Sequence, residues 1–172
     1  IAGIKMCESY NIQYKTNYKC LMPTNTFGPN DNSNALNSHF LPALIKKVHG
    51  LKLNNKMELT LWGNGLAKRE VIYVDDLADA CIFFMKKRFS GTILNIGTGK
   101  DFSIKQYAKI VLNQIIPKNK IKIKYDLSKP NGTPRKVLDI KLANKYGWKP
   151  KTKLDETITK TYKNFLENNK IA

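Results

Sequence analysis

Glu70-Val71-Ile72-Tyr73-Val74-Asp75-Asp76-Leu77-Ala78-Asp79-Ala80-Cys81-Ile82-Phe83-Phe84-Met85 changes its hydrophobic period in mid-stretch. Up to Val74 it is a short apolar run of strand length, rich in β-branched residues. Leu77, Ala80, Cys81, Phe84 and Met85 then fall at helical spacing, and Asp75 or Asp76 is expected to cap that helix. Ile93-Leu94-Asn95-Ile96-Gly97 follows as a second strand closed by a glycine turn. Strand, helix and strand in so short a span form the repeating unit of an α/β fold.

The rest of the chain agrees. Ile4, Cys7 and Tyr10 are spaced as the end of a helix reaching about Tyr14, and Tyr18–Met22 reads as a short buried strand stopping at Pro23-Thr24-Asn25. Gly28-Pro29-Asn30-Asp31-Asn32 is a loop. From Ser38, the residues Phe40, Leu41, Leu44, Ile45 and Val48 make an amphipathic helix with Lys46 and Lys47 outside. Met57–Trp62 and Ile121–Tyr125 alternate as strands, Ser103 opens a helix through Leu112, and Leu154 to about Asn168 is a closing helix. The Lys118–Lys120 turn and the Ser128–Pro134 loop are expected to be the most mobile pieces.

Composition narrows the class. A chain of 172 residues, 42% hydrophobic and 25% charged, suffices for a globular core. No apolar run approaches the ~18 residues of a membrane span, and Ile1–Lys5 does not read as a signal peptide. Cys7, Cys20 and Cys81 lack metal or disulfide spacing and suit a reducing cytoplasm. With His39 and His49 as the two imidazoles, a metal site is not expected. A net charge of +17 suggests a polyanionic partner, nucleic acid or a phosphorylated small molecule. The lysines are scattered, however, and no reader motif for bases is present, so a specific nucleic-acid module is the weaker reading.

The richest stretch is Pro23-Thr24-Asn25-Thr26-Phe27-Gly28-Pro29-Asn30, continuing into Asn37-Ser38-His39-Phe40-Leu41-Pro42-Ala43-Leu44-Ile45-Lys46-Lys47. It is joined by Trp62-Gly63-Asn64-Gly65, Arg69-Glu70, Val74-Asp75-Asp76, Asn95-Ile96-Gly97-Thr98-Gly99 and Lys129-Pro130-Asn131-Gly132-Thr133-Pro134-Arg135-Lys136. Together these resemble the GDP-L-fucose synthases, extended short-chain dehydrogenases/reductases that act on a nucleotide sugar. The Trp-Gly, Arg-Glu and Asn-x-Gly segments recur across many nucleotide-sugar epimerases and dehydratases. The Ser-His-x-x-Pro-Ala-Leu and Lys-Pro-x-Gly-Thr-Pro-Arg-Lys segments are narrower and point to the synthases.

The resemblance implies an NAD(P)-binding Rossmann-type α/β fold, of which residues 1–172 are the C-terminal portion. Its last Rossmann elements would interleave with a smaller substrate-binding domain, and the cofactor-binding N-terminal half would lie upstream. It implies NADPH as cofactor, a GDP-sugar substrate and a homodimer. GDP-4-keto-6-deoxy-D-mannose would be epimerised at C3 and C5 and reduced at C4. His39 would be the acid reprotonating the enolate and would also lie against the cofactor; read without the resemblance, it simply caps a helix. Pro23, Thr24, Asn25 and Thr26 would meet the nicotinamide, although the family usually has Leu-Tyr where Thr26-Phe27 stand. Lys47, Trp62 and Arg69 would hold the nucleotide diphosphate and sugar, with Asn131 and Lys136 as further contacts; Asn131 replaces the family's usual Asp. A cation and a guanidinium suit a pyrophosphate, and an indole offers a stacking face or, alternatively, core packing at a strand end. His49 reads as a surface residue without a role. The Gly-x-x-Gly-x-x-Gly fingerprint does not occur in these residues, and the resemblance would place the family's catalytic Tyr-x-x-x-Lys pair upstream of Ile1. Apolar faces that would pack against an upstream half are therefore expected to be exposed.

Overall fold

The computed structural model describes residues 1–33, 38–89, 91–118 and 120–168. In order come α1 (Ala2–Tyr14), β1 (Cys20–Pro23), β2 (Asn25–Phe27), α2 (Phe40–Leu53), β3 (Glu58–Trp62) and β4 (Lys68–Tyr73). They are followed by α3 (Val74–Lys86), β5 (Ile93–Ile96), β6 (Asp101–Ser103), α4 (Ile104–Ile115), β7 (Lys122–Asp126), β8 (Arg135–Lys136), α5 (Lys141–Lys145) and α6 (Leu154–Asn168). The strands pair in parallel, β1 with β5, β3 with β7 and β4 with β8, as the strand–helix alternation requires.

The chain divides into two compact units, each assembled from three separate stretches. Unit one comprises Ile1–Thr26, Glu70–Lys100 and Val137–Lys151. Cys20, Leu21, Met22 and Pro23 of β1 lie opposite Ile93, Leu94, Asn95 and Ile96 of β5. The core around this pair consists of Ile72, Ala80, Phe84, Leu94, Ile96, Ala143 and Trp148. Trp148 is anchored at its polar end, since Nε1 donates to Asp79 Oδ2 at 2.9 Å while Lys151 Nζ holds Oδ1 at 2.7 Å. A buried indole of this kind needs such a partner. By contrast, α1 buries none of its side chains, and Met6, Tyr10, Ile12 and Tyr14 remain exposed.

Unit two comprises Phe27–Arg69, Asp101–Lys136 and Thr152–Ala172. Here α4 packs against α2 and α6. The apolar stripe of α2 (Leu41, Leu44, Ile45, Val48, Leu51) meets that of α4 (Tyr107, Ala108, Val111, Leu112, Ile115), as amphipathic helices require. The alternation in β3 buries Leu59 and Leu61 and turns Glu58, Thr60 and Trp62 outward. Ser103 closes a capping box at the start of α4: its hydroxyl accepts from Gln106 N at 3.2 Å, and Gln106 Oε1 accepts from Ser103 N at 2.8 Å. Replacing Ser103 by alanine is expected to remove about 1 kcal/mol of stability. A urea titration showing no change would mean that the cap is energetically idle.

The longer elements fall where the sequence places them, and the shorter ones differ. Strand structure does not end at Pro23-Thr24-Asn25 but resumes as β2. The cap of α3 is Tyr73, not Asp75 or Asp76. Both acids sit inside the first turn, where they complement the helix dipole. Asp76 is buried there, accepting from Lys151 N at 2.9 Å. The Ser128–Pro134 loop, expected to be mobile, is tied down by hydrogen bonds at Ser128, Asn131 and Thr133. Asn119, in the other such turn, lies outside the described residues.

Candidate functional site

The expected site residues fall into two sets, one per unit. In unit one, Pro23 closes β1 at the carboxyl end of a parallel pair, the edge where open α/β sheets take their ligands. Thr24 N donates to Ile96 O at 3.0 Å. The Thr24 hydroxyl and the Asn25 amide both donate to Glu70 O, at 3.2 and 3.0 Å, and Thr26 Oγ1 donates to Thr24 O at 3.3 Å. Two of these side chains thus tie the segment to the β4 backbone, and the third braces the segment itself.

Glu70, which the sequence had not singled out, is fully buried. Its Oε1 accepts from Thr98 N and Gly99 N, both at 2.6 Å, and from the Thr98 hydroxyl at 3.3 Å; Oε2 accepts from Leu138 N at 2.7 Å. A carboxylate so supplied with donors can stay buried without a countercharge. A Cβ at Gly97 would overlap Oε1, so glycine is required at that position.

Unit two holds the remaining residues. His39 is the N-cap of α2 by position, yet its side chain makes no capping hydrogen bond and the residue is exposed. Its imidazole is therefore not consumed by the helix terminus. Lys47 reaches from α2 across β3, donating to Thr60 O at 2.9 Å with Nζ 6.0 Å from the Trp62 ring centroid. Although most of that side chain is exposed, desolvation at its tip holds the ammonium below the ordinary lysine value, while Asp126 works against this. Trp62 is 64% exposed, so core packing at the strand end does not account for it.

The 128–134 loop is pinned around this indole. Ser128 bonds Asp126 Oδ1 through its hydroxyl (2.6 Å) and backbone N–H (3.1 Å). Those bonds, with smaller help from Lys129 and Lys47, hold the Asp126 carboxyl below its usual value. Lys129 Nζ lies 5.8 Å from the Trp62 centroid. Asn131 Oδ1 accepts from Asn64 N at 2.7 Å, an approach that requires the bare Gly63, at φ 64, beside it. Arg69 Nη1 donates to Thr133 O at 2.6 Å and to Lys68 O at 2.7 Å. Lys136 is the register partner of Arg69 in the β4–β8 pair. Lys47, Trp62, Arg69, Asn131 and Lys136 thus belong to one unit, in which Lys47 and Lys129 approach Trp62 while Arg69 and Asn131 hold the loop.

His49 is no idle surface residue. Its Nδ1 lies 3.0 Å from Tyr162 Oη and its ring meets Phe165 edge-on at 5.2 Å. Burial, and secondly the Lys52 charge, hold its pKa below 6.5. As pH falls, the unfolded imidazole protonates first. The stabilisation from neutral His49 is therefore complete above about pH 6.5 and lost as pH falls through the lower folded value. Urea midpoints at pH 7 and pH 5 are expected to differ less for His49→Gln than for the unsubstituted chain. Equal differences would refute this linkage.

Among the described residues no group of three or more His, Cys, Asp or Glu could hold a metal ion, and no helix is long and apolar enough to cross a membrane.

Parallel strands alternating with helices place the chain in the α/β class. Residues 1–97 match the model of the NAD dependent epimerase/dehydratase family, and the chain belongs to that family. It is similar to "Probable GDP-L-fucose synthase 1" of Oryza sativa subsp. japonica, with 45% identity over 168 residues, covering 98% of this chain and 51% of that protein. Against "GDP-L-fucose synthase" of Escherichia coli (strain K12), identity is 39%, covering 98% of this chain and 54% of that protein. Among solved structures, the GDP-mannoheptose C4 reductase of Campylobacter jejuni with NADP bound superposes with a TM-score of 0.80 and 32% identity, over 96% of this chain and 57% of that one. The chain spans about half the length of the curated relatives it matches.

Proposed function

We propose that this chain is the GDP-sugar-binding half of an enzyme that converts GDP-4-keto-6-deoxy-D-mannose to GDP-L-fucose, using NADPH. The observation that carries the reading is the 128–134 loop, which Asn131 and Arg69 pin and which brings Lys129 to an exposed Trp62 that also faces Lys47. Ammonium and guanidinium groups suit a diphosphate, and an open indole suits a base or sugar face. Its similarity to proteins named for this synthase supports that reaction.

The proposed roles are as follows. Lys47, Arg69 and Lys136 neutralise the diphosphate. Trp62 offers a stacking face, and Asn131 holds the loop through Oδ1 while its amide N–H remains for the nucleotide. His39 delivers a proton to the enolate formed when the sugar is deprotonated beside its ketone, a task that suits an imidazole near neutral pH. Pro23, Thr24, Asn25 and Thr26, rigid at the end of a parallel pair, fit the site where a dinucleotide's reactive ring would lie, with His39 as a further contact. The chemistry that NADPH supplies when bound is a hydride for the C4 ketone. A Tyr-x-x-x-Lys pair from a cofactor-binding half would complete the site. The resemblance that assigns the reaction also implies a homodimer, and three free thiols suit a reducing cytoplasm.

The test joins this chain to the N-terminal half of a relative ending in that Tyr-x-x-x-Lys pair. Loss of nicotinamide absorbance with the GDP keto sugar, and GDP-L-fucose as product, are expected. A well-folded fusion that turns over UDP-sugars instead would favour another nucleotide-sugar epimerase or dehydratase.

A further inference from the structure

Resting on the nucleotide-site reading above, we propose that Lys129 is a second diphosphate-binding cation, and that it sets a preference for nucleoside diphosphates over monophosphates. Two ammonium groups from separate elements approach one indole: Lys47 Nζ from α2 at 6.0 Å and Lys129 Nζ from the loop at 5.8 Å from the ring centroid. They therefore lie no further apart than the sum of these distances. Trp62 is 64% exposed, so the ring beside them is open to solvent.

Their surroundings differ in a way that assigns different tasks. Lys47 is fixed, one N–H spent on Thr60 O. Lys129 has a fixed backbone and an uncommitted ammonium. Its N–H donates to Asp126 O at 3.2 Å, and the loop beyond it is held by Asn131 on Asn64 and by Arg69 on Thr133. Among the described residues neither lysine forms an ion pair, although Lys124, on the same exposed sheet face, pairs with Glu58 at 2.7 Å. Both lysines act on the Asp126 carboxylate, which Ser128 already engages. The two ammoniums are thus left without an ion-pair partner of their own, among the described residues, and present positive charge to an anion.

A diphosphate spreads its charge over two phosphorus centres, so it can meet both ammoniums at once, whereas a monophosphate satisfies one. The preset loop keeps the ordering cost of the second contact low. Lys129 is therefore a positioning and selecting residue, distinct from any group that moves protons.

Calorimetric titration of the protein with GDP and with GMP tests this. Lys129→Ala is expected to weaken GDP binding about fivefold to tenfold at low salt and GMP binding less than twofold, with Lys129→Arg near the original affinity. The GDP effect should shrink as salt is raised. Unchanged GDP affinity in Lys129→Ala, while Lys47→Ala weakens it, overturns the proposal and spares the nucleotide-site reading. Equal losses for GDP and GMP overturn the selecting role. If Lys47→Ala and Trp62→Ala also leave GDP binding unchanged, or the unsubstituted protein does not bind GDP, both fall.

Discussion

Replacing Glu70 by alanine is expected to cost about 3 kcal/mol or more of folding stability. The truncation would strip the acceptor from Thr98 N, Gly99 N and Leu138 N and leave a void where a fully buried side chain stood. Each orphaned donor carries its desolvation cost, and the void adds lost contacts. Glu70→Gln separates the two contributions. Its amide oxygen can still accept from Thr98 and Gly99, but its NH2 group would then face the Leu138 N–H, donor against donor. About 2 kcal/mol is expected for that change. Urea unfolding followed by circular dichroism is the measurement. An alanine variant within 0.5 kcal/mol of the original would show that water or a local shift serves those donors equally well.

The second large effect concerns His39. In the fused enzyme, His39→Gln is expected to slow proton return at C3 and C5 by about a hundredfold or more, the usual weight of a lost general acid. Hydride transfer to C4 should suffer less, because it does not use that proton. Deuterium uptake from solvent at C3 and C5, set against nicotinamide oxidation with a substrate already epimerised, reads the two steps apart. Equal losses in both would assign His39 a binding role and remove it from proton transfer.

Much of this was legible in the residues, and the failures have identifiable causes. The alternation in Glu58–Trp62 and the helical spacing in Leu154–Asn168 each repeat often enough to define their period. The strands β2, β6 and β8 contain three, three and two residues, too few to show any period, and the five-residue α5 is similarly short. Asp75 and Asp76 misled because an acid suits both a cap and a first turn, and only the backbone tells which residue is half in the helix. Trp62 could have been read better. With Leu59 and Leu61 buried, strict alternation already sends it outward. Glu70, Lys129 and His49 could not be read so, because their roles arise from partners distant in sequence: Leu138 for the first, Trp62 for the second and Tyr162 for the third.

The threefold interruption of both units bears on how the chain acquires its shape. Asn30 N is held by Asn164 Oδ1 across 134 positions, and Cys20 pairs with Ile93 far along the chain. High contact order of this kind slows folding, since distant segments must meet before any pairing rewards the loss of chain entropy. During synthesis β1 would emerge long before β5, leaving an unsatisfied strand edge open to wrong partners. No single cut in the polypeptide yields either unit as one continuous piece, because each is assembled from three stretches that alternate with those of the other.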